Sequence, residues 1–240
     1  MKKVNTNKLC IETKNLTIGY GEHIVLENLN IKIYKGEIFV IVGGSGCGKT
    51  TLLKNMIGLI PPIAGDIMIN GKSIVKSDWN EKRKMMRSFG VLYQTGALFG
   101  SLSLAENISL PIEEFTNKSK DEINQTVTEK LKLVELDGFQ KFLPSELSGG
   151  MRKRAGLARA LALDPEILFF DEPSTSLDPL TAARLDKLIL NIREKIGTTM
   201  VIVTHELDSI FTISDRIIIL DKSAKGIIAE GNPYDLRDNC

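Results

Sequence analysis

The stretch "EIFVIVGGSGCGKTT", residues 37–51, decides how the rest of the chain is read. Ile38-Phe39-Val40-Ile41-Val42 is an unbroken apolar run, which predicts a strand buried on both faces over 37–42. It feeds Gly43-Gly44-Ser45-Gly46-Cys47-Gly48-Lys49-Thr50, a match to G-x-x-x-x-G-K-[ST] at every position. "TLLKNMIGL" at 51–59 follows with the apolar spacing of a helix, and Pro61-Pro62 ends it. In that strand–loop–helix context the glycines let successive N–H groups turn inward on phosphate oxygens. The helix N-terminus adds partial positive charge. Lys49 is expected at the β- and γ-phosphates and the Thr50 hydroxyl at Mg²⁺.

Working outward, "EILFFDEP" at 166–173 is a second buried strand that carries Asp171 and Glu172 to its C-terminal end. Ligands bind at that edge of open α/β sheets. Asp171 suits the metal, and Glu172 suits polarisation of an attacking water. No guanine-reading N-K-x-D motif occurs, which points to ATP. Tyr20, ahead of the first core strand, is either an aromatic face for adenine or a core tyrosine.

Further strands are expected at 9–13, 15–20, 29–34, 66–71, 88–94, 199–206 and 216–220, with helices at 179–196 and 207–214. Between about 95 and 165 the pattern turns helical, with Ile123, Val127, Leu131 and Val134 on one face. Residues 81–87, "EKRKMMR", read as a solvated helix face. These elements predict an α/β core with a largely parallel sheet, interrupted by a helical insertion. Inside the insertion "SELSGGM", residues 145–151, sets a second glycine pair behind a serine, as if to cradle another phosphate.

Composition bounds the reading. The chain has 240 residues, net charge +1, 42% hydrophobic and 25% charged residues. Near-neutral charge gives no field for holding nucleic acid or an anionic membrane. Cys10, Cys47 and Cys240 are far apart and odd in number, so they form neither a disulfide framework nor a metal cluster, and read as free thiols of a reducing cytosol. No stretch approaches the length of a membrane span, and no apolar run of signal length follows the basic start.

With these motifs in order, the chain resembles the nucleotide-binding subunit of ABC transporters over about residues 10–235. Tyr20 stands at the adenine-stacking position, 43–51 (through Thr51) at Walker A and Gln94 at the Q-loop. Residues 147–151 stand at the signature, 167–172 at Walker B, 176–178 at the D-loop and His205 at the switch histidine. The resemblance implies a P-loop NTPase core, residues 1–94 and 165–240, with an N-terminal antiparallel β subdomain and a helical subdomain over about 95–164. It implies that each ATP is sandwiched between one subunit's Walker A and the signature of a second copy. Ser148, Gly149, Gly150 and Asp178 would then complete the neighbour's site, which explains two cradles in one chain. Gln94 would sense metal and water, and His205 would contact the γ-phosphate.

The common ABC signature ends in Gln, and here Met151 takes that place. "LSGGMRKRAGLARALALDPE" (147–166) and "YQTGALFGSLSLAENISLP" (93–111) are similar to the ATPases of Mla-type, MCE-associated lipid transporters. That likeness implies phospholipid transport between bacterial membranes and a place on the cytoplasmic face of the inner membrane. The implied partners are integral membrane permease subunits, a small accessory cytoplasmic subunit and a periplasmic MCE lipid-binding protein, with no nucleic acid. Leu98 and Phe99 would line a groove for a permease helix, or else belong to the subdomain core. Family members often grip the partner ATPase with a longer C-terminal tail; with the sequence ending at Cys240, either that contact is not made or the C-terminus is truncated. The alternatives are a soluble ABC ATPase of iron–sulfur cluster assembly and an ABC ATPase of another transport substrate. A nucleic-acid-associated ABC ATPase would need tandem domains, a coiled-coil insertion or basic arms.

Overall fold

A computed structural model describes residues 5–238. Its elements run β1 (Asn5–Tyr20), β2 (His23–Leu29), β3 (Lys32–Lys35), β4 (Ile38–Gly43), α1 (Lys49–Met56), β5 (Ala64–Ile69), β6 (Lys72–Ser73), α2 (Trp79–Met86) and β7 (Phe89–Leu92). Then follow α3 (Leu104–Phe115), α4 (Lys120–Leu133), α5 (Gly149–Ala160), β8 (Ile167–Asp171) and α6 (Pro179–Ile196). The chain closes with β9 (Thr199–Val203), α7 (Leu207–Ile213), β10 (Arg216–Asp221), β11 (Gly226–Gly231) and α8 (Pro233–Asp238).

The larger sheet has the order β11-β10-β4-β9-β8-β7, parallel except for the antiparallel edge strand β11. Its central strands are apolar throughout because alternate side chains enter two separate cores. Ile38, Val40, Leu168, Phe170, Met200 and Ile202 face one cluster, shared with the helices of the insertion. Phe39, Ile41, Ile167, Phe169, Val201 and Val203 face the other, shared with α1 and the smaller sheet. That smaller sheet is antiparallel, β2-β1-β5-β6 with β3 also on β1.

The insertion between β7 and β8 holds α3, α4 and α5. Its helices start where the sequence supplies caps: Ser103 with Glu106, and Ser119 with Glu122, form reciprocal capping boxes. Ile123, Val127, Leu131 and Val134 are all buried, as their spacing requires. Only Met85 of α2 is buried, so 81–87 does present a solvated face.

Three local expectations are corrected. Residues 9–13 and 15–20 are one strand, β1, kept continuous by irregular register at its bulges rather than broken at Lys14. The expected strand 29–34 straddles the gap between β2 and β3, where Thr13 Oγ1 donates to Leu29 O and accepts from Ile31 N. The strand expected through Glu206 stops at Val203, and β11 had no assignment from its sequence.

Candidate active site

Four neighbouring strands end at one edge of the larger sheet and deliver the motif residues there. β4 ends in the glycine loop, β7 leads to Gln94, β8 ends at Asp171 and β9 leads to His205. A cleft of about 720 Å³ opens at this edge. Tyr20, Gly43, Gly44, Ser45, Gly46, Gly48, Lys49, Thr50, Thr51, Gln94, Glu172 and His205 line it, joined by Thr175.

Two glycines of the loop, Gly43 and Gly48, are there for space. A Cβ on Gly43 would lie 2.5 Å from Cys47 Sγ and 2.6 Å from Leu220 O. Gly48 has φ +104, and a Cβ would meet Val25 Cγ1 at 2.7 Å. Lys49 is buried and its Nζ donates to Gly43 O (2.8 Å) and Gly44 O (3.0 Å), carbonyls of the loop itself.

Thr50 Oγ1 donates to Asp171 Oδ1 at 2.9 Å, so the hydroxyl and carboxylate expected at the metal are already in contact. Burial pushes the Asp171 carboxyl up; the Thr50 hydrogen bond and the charges of Lys54 and Lys49 pull it back, while the Glu172 charge adds to the rise. Glu172 follows with φ +52, a left-handed conformation uncommon for such a residue. Its Oε2 lies 2.6 Å from His205 Nδ1 and accepts from Thr175 Oγ1 at 2.7 Å. The acid, the histidine and this hydroxyl thus form one cluster beside the phosphate loop.

Tyr20 is 52% exposed, with its hydroxyl 3.3 Å from Thr51 Oγ1, so the core-tyrosine alternative does not hold. Cys47 sits in the loop, but the residue is only 2% exposed and its side chain packs into the core beneath it. An adduct on Cys47 therefore requires the loop to open first. Cys240 lies outside the described residues.

Ser148, Gly149, Gly150 and Asp178 are not brought to this cleft. Ser148 caps α5, its Oγ accepting from Met151 N at 3.3 Å, and Gly149 and Gly150 form the first turn. Ser148 and Gly150 line a separate hollow of about 310 Å³ with Met151, Leu177 and Thr181. The Asp178 carboxylate caps α6 by accepting from Thr181 N at 3.0 Å. Phe99 is exposed in a shallow groove with Leu110, Pro111, Phe115 and Arg159, whereas Leu98 packs against the core.

Thr175 and Lys153 were not anticipated. Thr175 follows Glu172 by three residues, the reach of a turn. Lys153 falls four residues before Leu157, on the buried side of its helix, an odd place for a charge.

The ABC transporter family model matches residues 26–175. The chain belongs to the ABC transporter family, as an ATP-binding domain. It is 40% identical over 230 residues to the intermembrane phospholipid transport system ATP-binding protein MlaF of Haemophilus influenzae, covering 96% of this chain and 86% of that protein. It is 45% identical over 212 residues to the probable ribonucleotide transport ATP-binding protein mkl of Mycobacterium leprae, covering 88% of this chain. The ABC match spans only 61% of that mycobacterial protein's length. Among solved structures, the dimeric structure of MJ0796, a bacterial ABC transporter cassette, superposes with a TM-score of 0.83 at 34% identity, covering 92% of this chain and 98% of that one.

Proposed function

We propose that this ABC domain hydrolyses Mg-ATP at the cleft between β4 and β8, as one of two copies that share their nucleotides. The observation that carries the reading is the cluster Glu172–His205–Thr175 placed beside a complete phosphate loop and the Thr50–Asp171 pair. Glu172 polarises the attacking water, with its carboxylate oriented by the Thr175 hydroxyl and the His205 imidazole. His205, half-exposed, is free to turn toward the γ-phosphate. Lys49 leaves the loop carbonyls for phosphate oxygens. Little covalent chemistry falls to the protein, so positioning and charge do most of the catalysis.

The residues fit Mg²⁺. Thr50, Asp171 and Gln94 offer only oxygen donors of the hard type, and among the described residues no cluster of three or more His, Cys, Asp or Glu forms an all-protein metal cage. That sparse set suits an ion which keeps its waters and binds one or two carboxylates plus the substrate's phosphates. When bound, the ion would neutralise charge on the transferring phosphoryl group. Chelation with EDTA is expected to abolish turnover and leave the fold intact by circular dichroism.

The exposed cradle at Ser148–Gly150 lies away from the chain's own cleft, which supports its use on a second copy's ATP, together with Asp178. The likeness to a dimeric cassette points the same way. The single-domain division into a core and an inserted helical subdomain over about 95–164 accords with β7 and β8 pairing across the insertion. Likeness to MlaF supports phospholipid as cargo, with permease subunits seated near the Phe99 groove. The same likeness supports the remaining partners, an accessory cytoplasmic subunit and a periplasmic MCE protein, and attachment at the inner-membrane face. No helix among the described residues is long and apolar enough to cross a membrane; the reading places that attachment on the permease.

The test is Glu172→Gln. It should retain ATP binding, lower turnover about a hundredfold or more, and run as an ATP-dependent dimer on size-exclusion chromatography. Wild-type turnover from that variant rejects the role of Glu172. Co-purification from the native host should return a multi-span membrane protein with phospholipid; cluster scaffold proteins instead would favour the iron–sulfur alternative.

A further inference from the structure

Lys153 is a buried charge that the proposed mechanism leaves without a task. It lies on α5, five residues after Ser148, and is 6% exposed. Its ammonium is spent on main-chain carbonyls: Nζ donates to Thr175 O at 2.9 Å and to Glu172 O at 3.3 Å. Taking an ammonium out of water is costly unless its partners repay the lost hydration. Burial accordingly pushes this lysine down from its ordinary range, and the charge of Glu172 pulls it back.

The two carbonyls are a telling choice. They belong to the residues whose side chains meet in the cleft, the Thr175 hydroxyl donating to the Glu172 carboxylate. The segment between them is a tight turn, with Thr175 N donating to Glu172 O at 3.4 Å and Leu177 N to Ser174 O at 3.1 Å. Glu172, at its start, and Ser176, just beyond its end, are left-handed, at φ +52 and φ +67. Backbone of this kind persists only where its surroundings over-determine it. β9 fixes the turn from one side, Glu172 N donating to Val203 O at 2.9 Å. On the other side lies α5 with Lys153.

We propose that Lys153 is a positioning residue for ATP hydrolysis: its two hydrogen bonds clamp the Glu172–Thr175 turn so that the Glu172 carboxylate faces the nucleotide. The proposal rests on the reading of Glu172 as the group that activates water. A compact ammonium with three donors is well matched to two converging carbonyls, and its charge also steadies the carboxylate just beyond them. The same helix begins at the Ser148 cradle, so the clamp and the cradle move as one rigid piece.

Lys153→Met keeps the length of the side chain and removes the donors. Its expected phenotype is a loss of kcat of about tenfold with the Kd for a fluorescent ATP analogue unchanged. Lys153→Arg restores most of the rate, because donors return. The decisive measurement is a double-mutant cycle with Glu172→Gln, read in single-turnover assays on labelled ATP. If Lys153 acts through Glu172, Lys153→Met slows the wild type but not the Glu172→Gln chain. An equal slowing in both backgrounds, or a normal kcat in Lys153→Met, overturns the proposal. Should the Met variant fail to fold, Lys153→Gln, whose shorter side chain does not carry its amide N–H to the two carbonyls, enters the same cycle with the same expected outcomes. Wild-type turnover in Glu172→Gln alone would sink the underlying reading instead, so the two failures are told apart.

Discussion

Gly43 and Cys47 are coupled at the base of the phosphate loop, and their contact explains what each can become. Gly43→Ala would drive its new methyl to within 2.6 Å of Leu220 O and 2.5 Å of Cys47 Sγ. The sulfur can shift but the β10 backbone cannot, so the loop must distort. The thiol itself is inert by burial. In a Cys240→Ser chain, Cys10 and Cys47 are both 2% exposed, and a thiol reagent should modify them slowly under native conditions and rapidly in denaturant. Rapid native labelling of Cys47, seen by mass spectrometry, would contradict the packing described. Much of the cleft was legible in the sequence because residue type and spacing carry the chemistry of a phosphate loop and of an acidic pair after an apolar run; Gln94 and His205 were placed only by the family resemblance, since a histidine after an apolar strand is by itself more often structural. Thr175 and Lys153 were not. Their value lies in contacts made only on folding, Lys153 reaching across 19 and 22 residues to its two carbonyls.

At the scale of the element, α5 is seated by glycine. A Cβ on Gly156 would lie 2.8 Å from Gly96 O and 2.9 Å from Leu92 Cδ1. Arg159, one turn further, donates to Ala97 O at 2.7 Å and Gly96 O at 3.3 Å, so the helix holds the segment that follows Gln94. Gly156→Val should cost about 1–3 kcal/mol by overpacking, and lower the melting temperature by roughly 2–4 °C for each kcal/mol, measured by calorimetry. A second element contact carries a pH signature. Ser209 of α7 donates to Asp186 of α6 at 2.8 Å, yet burial still pushes the Asp186 carboxyl up, with the Asp208 charge adding to the rise. A raised carboxylate pKa means the folded state binds the proton more tightly than the unfolded chain. Stability from this site is therefore full below the unfolded value, about 3.9, and falls as pH rises through the folded one. Asp186→Asn removes that loss: its gain in melting temperature should be larger at pH 8 than at pH 4. The central strands and α6 were readable as runs and caps. β2 and β11 were not, since β2 exposes polar residues along its length and β11 is a half-exposed edge, so neither shows a clean apolar period.

For the whole molecule, the question is why a chain should carry a cradle it does not use. The cleft between β4 and β8 holds the phosphate loop, while Ser148 and Gly150 face a different hollow. Under two-fold symmetry each residue of one contact patch meets its counterpart's complement, so two copies arranged head to tail make two equal composite sites. This geometry has an arithmetic consequence. If the two copies share their sites as proposed, Lys49→Ala spoils the cleft that a copy owns, and Ser148→Arg spoils the cleft that it completes for its neighbour. Either variant alone leaves no intact site in its homodimer. A mixed pair gathers both lesions in one site and leaves the other whole. Equal mixing at random gives half mixed dimers with one good site of two, so about a quarter of the wild-type sites return. Steady-state phosphate release, titrated against the mixing ratio, should pass through a maximum at one to one. A flat zero across the titration means that both sites must fire together. Appreciable turnover in the Ser148→Arg chain alone means that the cradle never closed on a neighbour's nucleotide.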